Sequence, residues 1–420
     1  MPSWLTFIKI GGASLTSVLV SFCVSALLAR ILEPSDFGVF SSSLSVSVIM
    51  ICLVGFGLPQ FFLREAMRKK DIDLEVQSFQ FLTKSFVFVC CFYLLLGIVL
   101  SKVYTVPQDL YVLIGLLFYI LGQASVELGV CIGQSKQNYT SVALWHLYGP
   151  VSRLAIVVIV SYLADFNLAE SAICFSLSGI FCYIRLYIEI RRGRRKLIKN
   201  QNSWLPNIDD MPFLRGGFPF GVVGILHVLL MQFNVVIVRF IDGADAGGFY
   251  AASLLIVTAL SLFPSVVVQK VLMSKIHMLA IHDHLGLKTL NKRLALFLFT
   301  VGVVLSLVGY TLVNQIVELI FGEAYKGAKA YLAAMFLFVP LRYVSTVFGA
   351  TLMTGNGVNM KMKDMAYVVL LNLAIIPFSI IVFGAEKIGY FQFIVELALL
   401  FFYWRSSTKL LEKAKYEIHA

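Results

Sequence analysis

Long apolar runs, each about as long as a bilayer crossing, alternate with short polar breaks along almost the whole chain. A helix needs roughly 20 apolar residues to cross the hydrocarbon core, and about twelve stretches meet that length. Their limits are residues 7–30, 38–60, 79–101, 109–133, 141–163, 169–190, 213–239, 246–270, 293–314, 328–353, 364–384 and 388–404. The first two are rich in Ser and Gly, which suits helices that approach one another closely inside a bundle. Composition agrees with the pattern. Of the 420 residues 59% are hydrophobic and only 14% charged, too few to cover a water-facing surface. The chain is therefore expected to be an all-α integral membrane protein with about 12 transmembrane helices.

The net charge of +11 gains its meaning from where the cations lie. Arg64, Arg68, Lys69 and Lys70 follow the second run, and Arg191, Arg192, Arg194, Arg195, Lys196 and Lys199 follow the sixth. Lys275, Lys288 and Lys292 follow the eighth, Lys361 and Lys363 the tenth, and Arg405, Lys409, Lys413 and Lys415 form the tail. The alternate loops are short and poor in cations, holding Lys102, Lys326 and Lys387. Such an asymmetry places both termini in the cytoplasm. It also accounts for the net charge without a nucleic-acid partner, and "RRGRRK" reads as a topology anchor. The first run lacks a clear cleavage site and reads as a retained span. All seven Cys sit in apolar runs of the first half, with no CxxC, so they read as small buried hydrophobes. No external loop is large enough for a catalytic domain, and neither a Walker A string nor GxSxG occurs, so an enzyme is not expected.

One charged turn is written twice. "RILEPSDFGVF" (Arg30–Phe40) joins spans one and two, and "RFIDGADAGGF" (Arg239–Phe249) joins seven and eight. Helix punctuation explains most of the shared residues. Arg30 and Arg239 complement helix C-termini, Pro34 and Gly243 stop a helix, and Asp36 and Asp245 suit the first turn of the next. Gly38 and Gly247 permit close packing. Further echoes keep the same order: "GQSKQN" (Gly133–Asn138) against "TGNGVN" (Thr354–Asn359), and Pro59 against Pro264. The expected organisation is two pseudo-symmetric six-helix lobes around a central cavity, residues 1–190 and 213–420. A basic cytoplasmic linker, 191–212, joins them. Parallel repeats of this kind suit a carrier whose lobes rock about a central site.

"RILEPSDFGVF" also resembles the R-x-L-x-P-x-x-F/Y-G-x-F signature of bacterial polysaccharide exporters. "GGFYAASLLI" (Gly247–Ile256) resembles the G-x-Y-x-x-A motif that opens their eighth span, and "IVELIFGEAYKGAKAYL" (Ile316–Leu332) is similar to a further motif of theirs. These are the flippases of lipid-linked O-antigen and capsule repeat units. They share a superfamily with the lipid II flippase and the multidrug and toxin extrusion carriers. The resemblance implies transport, by alternating access, of an undecaprenyl-pyrophosphate-linked oligosaccharide from the cytoplasmic to the periplasmic leaflet of the bacterial inner membrane, in lipopolysaccharide or capsule synthesis. It implies membrane lipids, a polysaccharide polymerase and chain-length proteins as partners, and no cofactor. Many relatives carry an Asp in span seven, where this chain reads "MQFNVV" with Asn234.

A charge at mid-bilayer costs about 3 kcal/mol on insertion scales. Arg153 and Arg342, each near the centre of a span and one in each half, are therefore the leading candidates for a cationic, substrate-binding cavity. Arg suits phosphate through paired donors. Lys84, Arg215 and Arg30 are further members of that candidate set. Lys9, Lys84, Arg185 and Arg215 also lie within or close to snorkelling reach of the inner face, and Arg185 has Glu189 four residues on as an expected surface pair. Glu127 is the intramembrane carboxylate that would carry proton or sodium coupling, or would pair with Arg153. His146 and His227 read as packed histidines. His277, His282, Asp283 and His284 are close in sequence but fit no standard ligand spacing, so no metal site is expected. The competing reading is an ion-coupled exporter of small drugs or metabolites on the same scaffold.

Overall fold

A computed structural model describes residues 4–68, 74–104, 107–163, 166–193, 211–354 and 357–418. The helices of the first half are α1 (Trp4–Ile31), α2 (Pro34–Gly55), α3 (Leu58–Arg68), α4 (Leu74–Tyr104), α5 (Pro107–Gly115), α6 (Leu117–Ser135), α7 (Tyr139–Leu163) and α8 (Leu168–Gly193). Then follow α9 (Met211–Asp242), α10 (Ala244–Leu260), α11 (Leu262–Ser265), a π-helical turn (Val266–Val271), α12 (Met273–His282), α13 (His284–Thr311) and α14 (Val313–Ile320). The last are α15 (Ala328–Phe336), α16 (Val339–Thr351), α17 (Gly357–Phe383) and α18 (Ile388–Ile418). No strand occurs among the described residues.

Among the described residues ten helical stretches are long and apolar enough to cross a membrane, from Gly11–Ile31 to Gly357–Phe383. An eleventh is α15 with α16, a pair bent by 51°. The bend precedes Pro340, which has no amide hydrogen to continue the ladder. About twelve spans were expected. The twelfth, 388–404, falls in α18, whose first half buries Gln392 and Glu396 and is not among the ten. Large apolar side chains such as Phe88, Phe297 and Leu370 stand exposed in the middle of these helices. Lipid is the solvent for which such a surface is built.

The chain divides into two compact units: Met1–Leu32 with Val39–Val228, and Glu33–Gly38 with Leu229–Ala420. The division falls inside α9. Of the basic linker 191–212, residues 194–210 lie outside the described residues.

In the first unit α6 packs on α8 and on α7, and α1 runs along α7. The α6–α8 contact is backbone against backbone. A Cβ on Gly122 would collide with Gly179, and one on Gly179 would stand 2.8 Å from the Cα of Tyr119. Ser176 Oγ on α8 donates to the carbonyl of Gly115 at the end of α5. Lipid offers helices no hydrophobic reward for meeting, so small residues that admit close van der Waals and polar contact do that work. The second span breaks after Gly55, where Gly57 takes φ +71° beside Gly217, and resumes as α3 with Pro59 in its first turn. Pro264 marks a comparable break, between α10 and the π-helical turn.

In the second unit α13 packs on α16, α18 on α16 and α17, and α10 on α15. The ring of Tyr325 lies 6.1 Å from Phe37, 6.2 Å from Phe249 and 5.6 Å from Phe321. Ser253 Oγ donates to the carbonyl of Ala328 at 3.0 Å. Three separate strings of the sequence, around Phe37, Phe249 and Tyr325, thus close on one aromatic centre.

Candidate functional site

The first unit holds an arginine with no counter-ion. Arg153, on α7, is only 7% exposed. Its guanidinium lies 5.1 Å from the centre of the Tyr119 ring and 4.9 Å from that of Phe175. Nη1 donates to the Tyr119 hydroxyl at 3.3 Å, and Nε is buried without a partner. Aromatic faces attract a cation by roughly 0.5–2 kcal/mol. They hold the guanidinium in place but do not neutralise it. The Tyr119 hydroxyl also accepts from Gln123 Nε2 at 3.1 Å.

Glu127 lies two turns further along α6 from Tyr119. It makes no hydrogen bond or ion pair among the described residues, and the expected pairing with Arg153 does not form. Its side chain is exposed although the residues around it on α6 are buried or half-buried. Its Oε2 lies 3.8 Å from where a Cβ on Gly55 would stand, so it borders the end of α2.

The second unit treats its deep arginine differently. Arg342, on α16, is 9% exposed, and Glu396 on α18 is fully buried beside it. Arg342 Nε donates to Glu396 Oε1 at 3.0 Å, and Nη2 donates to the same oxygen. Phe338 covers the guanidinium at 4.9 Å. Glu396 Oε2 has no partner. Asn234, fully interior on α9, donates to Gln392 Oε1 at 2.7 Å and accepts from Asn372 Nδ2 at 2.8 Å. Asn234 therefore sits in a carboxamide cluster, with the buried carboxylate of Glu396 one helix turn beyond Gln392. Glu396 escaped the sequence reading, although an acid in the last apolar run was a signal that could have found it.

The other predicted residues are dispersed. Arg30 and Arg215 are exposed, and Lys84 is half-buried on α4. The side chain of Lys9 lies outside the described residues. Arg185 and Glu189 do not pair with each other. Arg185 lies 4.3 Å from the Trp145 ring and 4.5 Å from that of Tyr148, while Glu189 Oε2 accepts from Trp145 Nε1 at 3.1 Å. A buried indole and an aromatic sandwich compete successfully with an exposed ion pair worth under about 1 kcal/mol. Asp283 caps α13, its Oδ1 accepting from the Gly286 amide at 2.8 Å. No group of three His, Cys, Asp or Glu gathers among the described residues.

Residues 6–277 match the family described as "Polysaccharide biosynthesis protein". The chain belongs to that family. No curated protein matches this member in sequence. Among solved structures it is similar to the lipid II flippase MurJ in an inward closed conformation, with a TM-score of 0.69 and 12% identity over 97% of this chain and 91% of that one. It is similar to an inward-facing multidrug resistance MATE family transporter of the MOP superfamily, with a TM-score of 0.68 and 12% identity over 98% and 99%. A MOP superfamily transporter from Pyrococcus furiosus gives a TM-score of 0.58 and 11% identity over 99% and 96%. At these identities the likeness is one of fold. The family member is thus a multi-pass membrane protein with the helical fold of MOP superfamily transporters.

Proposed function

We propose that this protein is a flippase for an oligosaccharide repeat unit of O-antigen or capsule type carried on undecaprenyl pyrophosphate. It moves the unit from the cytoplasmic to the periplasmic leaflet of the bacterial inner membrane by alternating access, with both termini in the cytoplasm. A polysaccharide polymerase and chain-length proteins act downstream. The observation that carries the reading is Arg153, a deep cation without a carboxylate partner. A buried, uncompensated charge costs several kcal/mol unless a ligand supplies the opposite sign. The pyrophosphate of such a cargo does so, and family membership supports the polysaccharide setting. Arg342, already discharged by Glu396, has the weaker claim to cargo.

A strain lacking the protein is expected to accumulate lipid-linked oligosaccharide on the cytoplasmic leaflet and to lose surface glycan. Arg153→Ala, present in the membrane at the native level, is expected to reproduce that phenotype. Normal outward delivery in the deletion strain sinks the reading.

One observation favours a second reading. Glu127 is an open, unpaired carboxylate, as an ion-coupled exporter of small cationic compounds would need. Under that reading Glu127 binds a proton or sodium, and the deletion strain gains drug sensitivity while its glycan stays normal.

A further inference from the structure

We infer that α6 orders the polar end of the cargo, taking its anion at Arg153 and Tyr119 and an uncharged, hydroxyl-rich sugar at Gln123 and Glu127. The inference rests on the flippase reading and adds the class of sugar to it.

Tyr119, Gln123 and Glu127 stand four residues apart, so they form one row on one face of α6, about 12 Å long. The direction of that face is set by Phe118, which is exposed at the apolar surface of the helix. Glu127 lies nine residues beyond it, which is about two and a half turns, and so points to the opposite side. An accessible carboxylate on the side of a spanning helix away from the exposed Phe118 is placed to meet water and cargo. On its inner side the carboxylate lies against the buried Gly55 at the end of α2, where the absence of a side chain leaves it room.

The two ends of the row differ in chemistry. At the Arg153 end, the Tyr119 oxygen accepts from both Arg153 Nη1 and Gln123 Nε2. Its lone pairs are thereby engaged, and its own O–H is left to donate. Arg153 adds a positive charge with no carboxylate partner, its Nε–H buried and unpaired. This end offers donors and suits an anion. At the other end Glu127 in its ionised form offers acceptors only, and the Gln123 amide oxygen is a further acceptor. Sugar hydroxyls donate to such groups, whereas a second anion there would meet like charge. The row therefore selects a diphosphate followed by a neutral sugar and disfavours a uronic or other acidic sugar at that place.

The test uses the full chain in proteoliposomes with two synthetic probes on undecaprenyl pyrophosphate. One bears a neutral disaccharide and the other a disaccharide with one uronic acid. A membrane-impermeant lectin or glycosidase reports the leaflet. The native chain is expected to move the neutral probe about tenfold faster or more, since like-charge juxtaposition costs at least a factor of that order. Glu127→Gln is expected to bring the two rates to within about threefold by raising the acidic one, and Arg153→Ala to lose both. Thermal denaturation of each variant separates a folding defect from a change of selectivity. Equal movement of both probes by the native chain overturns this inference while leaving the flippase reading standing. So does a ratio that Glu127→Gln leaves unchanged, or a loss of both probes in that variant together with dependence on an ion gradient. Movement of neither probe by the native chain overturns both.

Discussion

Gly38 and Gly248 lie backbone against backbone in the second unit. A Cβ on Gly38 would stand 2.8 Å from the Gly248 amide nitrogen and would collide with the Ala244 carbonyl. One on Gly248 would stand 2.9 Å from the Pro34 carbonyl carbon and 3.3 Å from the Gly38 nitrogen. The two copies of the repeated turn are therefore each other's packing partners, and neither tolerates a methyl group without moving a helix. Overpacking of this kind costs about 1–3 kcal/mol. Gly248→Ala is expected to lower the melting temperature of the purified protein and its yield in the membrane. Gly224→Ala is the control. It has nothing within 4 Å of the added methyl, and alanine is the better helix former, so it should be neutral or slightly stabilising.

Arg342 and Glu396 form a buried pair with one carboxylate oxygen left over. Removing one member of such a pair leaves a bare charge and costs about 3–5 kcal/mol, whereas replacing both with apolar residues of similar size is often nearly neutral. Arg342→Met and Glu396→Met are each expected to be strongly destabilising, and the double variant less so than either. Thermal denaturation of the four proteins decides this. Additive losses would show that the two side chains do not act as a pair.

Trp145 is fully buried and donates its indole N–H to Glu189. Hydrogen bonds to charged groups contribute about 1.5–3 kcal/mol. Trp145→Phe keeps much of the ring but orphans the carboxylate, so a loss of about 2 kcal/mol is expected. Glu189→Gln retains an acceptor for the indole and should lose less. Equal losses would mean that packing, and not the hydrogen bond, carries the effect.

The sequence showed most clearly what depends on periodicity. The apolar runs became helices, the prolines at 59, 264 and 340 fell at breaks or bends, and the deep arginines are buried. What it hid depends on which helices become neighbours. The partner of Arg342 stands 54 positions away. The repeat aligned Gly38 with Gly247, yet Gly248 is the residue that touches it, because a one-residue shift turns a helix face by about 100°. Arg185 and Glu189 had the spacing for a pair, but the aromatic rings of α7 took both. Tyr119 and Gln123 carry no charge, so nothing in an apolar run singled them out. Their importance appears only when α7 brings Arg153 to the Tyr119 hydroxyl.

Glu318, on the short helix α14, accepts from Lys329 Nζ at 2.7 Å. That hydrogen bond, with the lysine's positive charge, holds the Glu318 carboxyl below its ordinary value. A carboxylate with a depressed value in the folded state contributes stability above the unfolded value and loses it as pH falls through the folded one. The native protein is therefore expected to be more stable than Glu318→Gln at neutral pH, with the gap closing in acid. Both partners reach solvent, so salt should shrink the gap at any pH. Lys329→Met should remove most of it and return the Glu318 titration toward that of an ordinary glutamate. Melting temperatures of the three proteins across acidic and neutral pH, at low and high salt, measure this. A gap that persists unchanged in Lys329→Met would place the source of the effect elsewhere than in the lysine.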